Sequence, residues 1–277
     1  MRVVVTGASG KAGRGVVRDL LEHDHQVLGV DIARTADAPP EFLLADLTEF
    51  GQAAECLAGA DAVVHLAAIP ANRIQTEATT FRTNMLSTFN IFEAARVLET
   101  GRVVWASSET IFGLPFNREQ PAYAPIDEDH PPYPESSYAA SKLLSEELGR
   151  QLHRRTGRPH IALRFSNIME PDDYQRFPSF WDNAQLRRWN LWGYVDLRDV
   201  ALSCRLALEA DVGAEHFVIA AADTVMSRPT HELMAEVYPS VPYRKSDGEF
   251  DALVSIEKAR KMLGYEPQHT WRDVVTG

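Results

Sequence analysis

The chain has two cysteines in 277 residues, too few for a disulfide framework. Cys56 and Cys204 both fall in apolar-flanked segments with helical patterning, which predicts two buried thiols rather than a bridge. An apolar run long enough to cross a bilayer is missing. So are an internal repeat, a low-complexity tract and any metal-ligand spacing; His23-Asp24-His25 falls between a helix and a strand, where a solvated turn is expected. Basic residues are outnumbered: 28 Lys plus Arg face 39 Asp plus Glu, a formal net charge of −11. That argues against non-specific nucleic-acid binding and against anionic membrane surfaces, but not against a small anionic substrate held by local arginines. With a strand-like run at the very start, the expectation is a cytoplasmic protein. The 45% hydrophobic and 24% charged content is ordinary for a globular chain, and the length suits one large domain or one and a half.

The first fifteen residues organise what is there. Val3, Val4 and Val5 form a continuous apolar run, as in a strand buried on both faces of a parallel sheet. Thr6 and Gly7 end it, and Gly7, Gly10 and Gly13 follow at three-residue spacing. Ala12, Val16, Val17, Leu20 and Leu21 then recur with helical period. Glycines between a buried strand and a helix mark the place where a dinucleotide pyrophosphate is held by backbone N–H groups and the positive helix end. Gly7 permits the turn, Gly10 lets phosphates approach the backbone, and Gly13 lets helix and strand pack closely. Ser9, Lys11 and Ala12 share that turn and are candidate cofactor contacts. Gln26–Asp31 reads as a second strand ending in Asp31, a carboxylate that would bind ribose hydroxyls and repel a 2′-phosphate. The expected cofactor is therefore NAD; Arg34 is read as a solvated loop cation.

Short apolar runs alternate with helical patterns thereafter. Residues 42–46 form a third strand, followed by Asp46 and Leu47 where an adenine would lie, and Thr48 is placed to cap the next helix. Ala62–Leu66 is a fourth strand. Leu66, Ala67 and Ala68 stand at its carboxyl end, beside a cofactor, and His65 within it is expected to be a packed, hydrogen-bonded histidine. A long helix covers residues 77–99, and 103–106 is a fifth strand ending in Ser107 and Ser108. Residues 113–134 form a long Pro-rich, acidic loop. A helix starting near Glu135 carries Tyr138 and Lys142, and 161–165 is a sixth strand. The alternation predicts an α/β fold: a Rossmann-type doubly wound parallel sheet with a small C-terminal substrate lobe. The expected division is residues 1–165 and 191–225 for NAD binding, and 166–190 and 226–277 for the substrate lobe, with Phe180, Trp181 and Trp189 as anchors of the first piece. Two helices are expected near 230–238 and 255–263, and a last strand at 217–220.

Tyr138-x-x-x-Lys142 puts a phenol and an ammonium on one helix face. A phenol near pKa 10 is a poor base at neutral pH. A cation about 4 Å away, worth roughly 4 kcal/mol at an effective dielectric of 20, would make it usable. Ser108, at the end of a strand, can orient the same substrate oxygen.

These motifs together resemble the extended short-chain dehydrogenase/reductase family, in its NAD-dependent epimerase/dehydratase branch. The resemblance is carried by Thr6-Gly7-x-x-Gly10-x-x-Gly13, Asp31, Asp46-Leu47, His65-Leu66-Ala67-Ala68, Asn84, Ser107-Ser108, Tyr138-x-x-x-Lys142 and Arg164-x-x-Asn167. It implies a Ser108–Tyr138–Lys142 triad with Asn84 in support, hydride transfer at a carbinol carbon, and a homodimer. Uronate dehydrogenases are similarly short, and their Ser-x-x-x-Glu-Pro-x-x-Tyr pattern is matched by Ser166, Glu170, Pro171 and Tyr174. That likeness implies substrate contacts from Ser108, Ser166, Asn167 and the Gln175–Arg176 pair. Gln175 stands at the expected Arg position with Arg176 one residue later, and Pro70 replaces a substrate-binding Ser. The expected function is NAD-dependent oxidation of a small sugar or sugar acid. The alternatives are a nucleotide-sugar epimerase with tightly bound NAD, and a non-catalytic dinucleotide-sensing regulator.

Overall fold

Val3, Val4 and Val5 are wholly buried because strand alternation sends Val3 and Val5 into one hydrophobic cluster and Val4 into another, on opposite faces of one sheet. In this computed structural model, which describes residues 1–244 and 248–275, the chain forms nine strands and seven α-helices among those residues. The strands are β1 (Arg2–Thr6), β2 (Gln26–Asp31), β3 (Phe42–Leu44), β4 (Ala62–His65), β5 (Arg102–Ser108), β6 (His160–Phe165), β7 (Ile168–Met169), β8 (Val195–Asp196) and β9 (Ala214–Ile219). The helices are α1 (Lys11–Glu22), α2 (Phe50–Leu57), α3 (Glu77–Val97), α4 (Ser137–Thr156), α5 (Leu197–Glu209), α6 (Thr230–Val237) and α7 (Glu257–Leu263). Seven strands pair in parallel in the order β3-β2-β1-β4-β5-β6-β9, and β7 and β8 form a separate parallel pair. The order reverses between β1 and β4, which makes the crevice above their carboxyl ends the binding edge of a doubly wound Rossmann-type sheet.

Boundaries differ from the sequence reading for local reasons. Thr48 does not cap α2: its N–H and hydroxyl both donate to the Asp46 carboxylate, at 2.9 and 2.7 Å, and Glu49 takes the cap position. Helix α4 begins at Ser137, because the Ser136 hydroxyl accepts from Ala139 N–H. The long loop is tied down: Ala124 N–H donates to the Pro242 carbonyl and Ile126 N–H to the Leu253 carbonyl. In the 166–190 segment Phe180, Trp181 and Trp189 are only partly buried. The buried aromatics are Tyr174 and Phe177, packed with Tyr194 and Trp271 against the core shared with the sheet. Cys56 and Cys204 are buried free thiols. No helix among the described residues is long and apolar enough to cross a membrane, and His23 bonds back to Asp19 with no metal-ligand group around it.

Candidate active site

Two of the three turn glycines are required by close approach. Gly7 has φ +69°, and a Cβ there would lie 2.7 Å from Ala67 N. At Gly13 a Cβ would lie 2.0 Å from the Gly7 carbonyl oxygen. Gly10 caps α1 without a side chain, and the first turn of α1 holds no acidic residue, so no side chain of the helix caps that end. Asp31 closes the far side: Ser9 N–H donates to its Oδ2 at 3.0 Å, Ile32 N–H to its Oδ1 at 2.7 Å, and the Ser9 hydroxyl reaches the Ala33 carbonyl. Thr6 Oγ1 accepts from Leu66 and Ala67 N–H, fixing the β1 and β4 ends together. Ala12 and Ala67 pack against the core beneath, and Ala68 is half-buried. A Cβ-free cradle, a helix N-terminus without a side-chain cap and a carboxylate at the end of β2 fit a dinucleotide. Of the other expected contacts, Lys11 points away, into ion pairs with Asp173 at 2.9 Å and Glu170 at 3.8 Å. Asp46 is exposed, and Leu47 is buried with its carbonyl held by Asn90. Replacing Gly13 with Ala forces α1 off β1. We expect NAD affinity to fall by at least about tenfold and the fold to lose roughly 1–3 kcal/mol, read by NAD titration and urea unfolding.

Ser108 at the end of β5 meets Tyr138 and Lys142 of α4, and Asn84 lies on the neighbouring α3. Ser108, 7% exposed, accepts from Thr110 N–H and hydroxyl. Lys142 is buried; its ammonium donates to the Ala106 carbonyl at 2.7 Å and lies 5.7 Å from the Tyr138 ring centre. Burial pulls Lys142 down to about 8. The expected lowering of the Tyr138 phenol is absent. Burial raises it, a hydrogen bond with Ser108 works against that, and the charge of Glu109 raises it further. The reason is directional: the ammonium is aimed at a strand carbonyl, not at the phenolic oxygen. Asn84 grips the backbone of Ile69 from both sides, accepting from its N–H at 2.8 Å and donating to its carbonyl at 3.1 Å. It therefore holds the loop after β4. His65 is buried between Thr6 and Thr88 and pushed down to about 3 by burial, a neutral structural histidine.

The expected substrate residues do not all converge. Asn167 is half-buried at the end of β6, and its carbonyl pairs with Val195 N–H. Gln175 and Arg176 are exposed on the 171–180 segment; the charge of Arg176 acts on Asp173 and Arg187. Ser166 is buried against Glu109, a residue the sequence reading passed over. Burial lifts the Glu109 carboxyl to about 7, against hydrogen bonding from Ser166 and Asn190, the charge of Arg187 and the Asn167 backbone N–H. A carboxyl raised in the native state keeps its proton where the unfolded chain has lost it, so stability falls as pH climbs from about 4.5 to about 7. We expect Glu109→Gln to flatten that fall, by up to about 3 kcal/mol, in urea unfolding at both ends of the window.

Residues 3–220 match the NAD dependent epimerase/dehydratase family. A putative UDP-glucose 4-epimerase of Methanocaldococcus jannaschii is 30% identical over 175 residues, 60% of this chain and 55% of that one. A uronate dehydrogenase of Agrobacterium fabrum is 30% identical over 184 residues, 65% of this chain and 66% of that one. The chain thus spans between about half and two thirds of the length of these two relatives. A short-chain dehydrogenase/reductase superfamily protein from Agrobacterium tumefaciens, solved with bound NAD, superposes with a TM-score of 0.76 at 24% identity, covering 98% of this chain and 94% of that one.

Proposed function

Because the chain belongs to the NAD dependent epimerase/dehydratase family, we propose that it is an NAD-dependent dehydrogenase acting on a hydroxyl of a small sugar or sugar acid. The family is NAD dependent and its members act in sugar chemistry among the relatives named above. The observation that carries the finer reading is the meeting of Ser108, Tyr138 and Lys142 beside the Gly7–Gly13 cradle. Gly7, Ser9, Gly10, Gly13 and Asp31 would hold the dinucleotide, with Leu66–Ala68 along its path. Bound NAD supplies a hydride acceptor. Tyr138 takes the proton of the substrate hydroxyl, Ser108 holds and orients that oxygen, and Lys142 keeps a positive charge close to the phenolate. Asn84 positions the Ile69 loop that walls the site.

The test is NADH formation from NAD with a panel of free aldoses, uronates and polyols, with NADP in parallel. Turnover with NAD supports the reading. Silence across the panel, with inversion of a nucleotide-sugar carbinol by enzyme purified with NAD bound, overturns it in favour of an epimerase. That second reading is favoured by the likeness to the M. jannaschii protein.

We also propose a homodimer through α3 and α4, which pack side by side and expose Phe81, Phe89 and Leu144. Solution scattering is expected to give twice the chain mass, and Phe89→Glu to shift it to the monomer. A monomeric wild type would refute the assignment.

A further inference from the structure

Glu109 has no part in the chemistry just described, yet it directly follows Ser108, and its charge reaches the Tyr138 phenol. Groups from two stretches gather round its carboxyl: the Ser166 hydroxyl and Asn167 N–H from beyond β6, and, from residues 187–190, the Asn190 side-chain amide at 3.4 Å and the charge of the Arg187 guanidinium. Glu109, Ser166, Arg187 and Asn190 are 4, 3, 7 and 0% exposed. Arg187 is also sandwiched between Phe180 and Trp189, so its charge sits among rings rather than in water. A hydroxyl, a backbone N–H, an amide and a guanidinium round one buried carboxyl make up a carboxylate-binding set. Here the carboxylate is the chain's own.

We propose that Glu109 fills an internal carboxylate site beside the reacting centre and thereby makes the enzyme select an uncharged sugar or polyol over the matching sugar acid. The substrate half of this rests on the dehydrogenase reading; the carboxylate site does not. A sugar acid brought to this wall meets a carboxyl already there, with the Arg187 charge already turned to it. Arg176, whose charge also reaches Arg187, is exposed and stands by Asp173. Once ionised, above about pH 7, that carboxyl repels a substrate carboxylate, and like-charge juxtaposition is how a site rejects a competitor. The internal fit is also loose: Glu109 Oε2, Ser166 Oγ, Arg187 Nε and Asn190 Oδ1 are buried without a well-aligned partner. A free carboxylate can turn to meet these donors once the Glu109 side chain is gone.

The experiment has two arms. In the first, NAD-loaded wild type and Glu109→Ala are melted with sodium formate against chloride at equal ionic strength. The variant is expected to gain about 3 °C or more with saturation, and the wild type nothing. Equal responses overturn the site. In the second, kcat/KM is compared at pH 8, where Glu109 is ionised, for glucose with glucuronate and galactose with galacturonate. Wild type is expected to favour the aldose by at least about tenfold, and the variant to lose most of that preference. A wild type that prefers the uronate overturns the selection. If Glu109→Ala does not fold, Glu109→Gln keeps the shape without the charge; it should lose the preference yet ignore formate, and a retained preference overturns the proposal. Inactivity on every sugar fails the dehydrogenase reading and with it the substrate half, whereas the formate arm still decides whether the carboxylate site exists.

Discussion

Tyr138→Phe should leave a folded protein that binds NAD as before and turns substrate over about 10²–10⁴-fold more slowly, the usual worth of a positioned general base. The ring is retained, so the half-buried packing survives, and the hydroxyl lost is the one that hydrogen bonds with Ser108. Steady-state rates beside an NAD titration and a melting curve check this; unimpaired turnover would remove Tyr138 from the chemistry. The same residue fixes the sign of the pH dependence. Burial and the Glu109 charge raise the phenol above its ordinary value, so the basic form grows as pH rises, and wild-type oxidation should accelerate through the neutral range. Lys142, at about 8, loses its proton in the upper part of that range, where the aid of its charge to the phenolate fades. The acceleration should therefore flatten above pH 8. Lys142→Met should be slow throughout and show no break there.

The contrast between Tyr138 and Gly13 shows what a chain of letters carries. The glycine turn was legible because its causes are local: a three-residue spacing decides where a Cβ would strike, and Gly13 meets the Gly7 carbonyl. The parallel sheet was legible for the same reason, from Val3–Val5 and the later apolar runs. Helical spacing correctly put Tyr138 and Lys142 on one face, but it cannot tell that the ammonium turns to the Ala106 carbonyl, and so it misjudged the phenol. Glu109 was invisible because its partners lie far along the chain, Asn190 being 81 residues away. Its letter alone, beside a serine at a strand end, reads as the first turn of a solvated loop. Gln175 and Arg176 were marked through a matching pattern rather than a physical cause, and they lie on an exposed segment.

Glu146 is the other residue whose role the fold alone reveals, and its loss should be the most damaging to stability. Its carboxylate takes a bidentate bond from Arg164, Nε at 2.9 Å to Oε1 and Nη2 at 2.7 Å to Oε2, and accepts from the Ser107 hydroxyl at 2.6 Å. Both charged side chains are about nine-tenths buried or more. Arg164 also lies 5.0 Å from the centre of the Phe112 ring, while its Nη1 has no partner. Removing the carboxylate strands that guanidinium between α4 and the sheet. Breaking a buried pair from one side costs about 3–5 kcal/mol, so Glu146→Leu should melt well below wild type. Replacing both partners, Glu146→Leu with Arg164→Met, removes the uncompensated charge and should recover much of the loss. Urea unfolding of the two singles and the double measures the coupling, and additive losses would show that the pair does not act as one. Activity adds a separate readout. Ser107 precedes Ser108, and Phe112 ends the turn that Ser108 caps, so the pair fixes the strand end from below. The double variant, though folded, should therefore still show reduced kcat, because apolar replacements fill the space without anchoring Ser107.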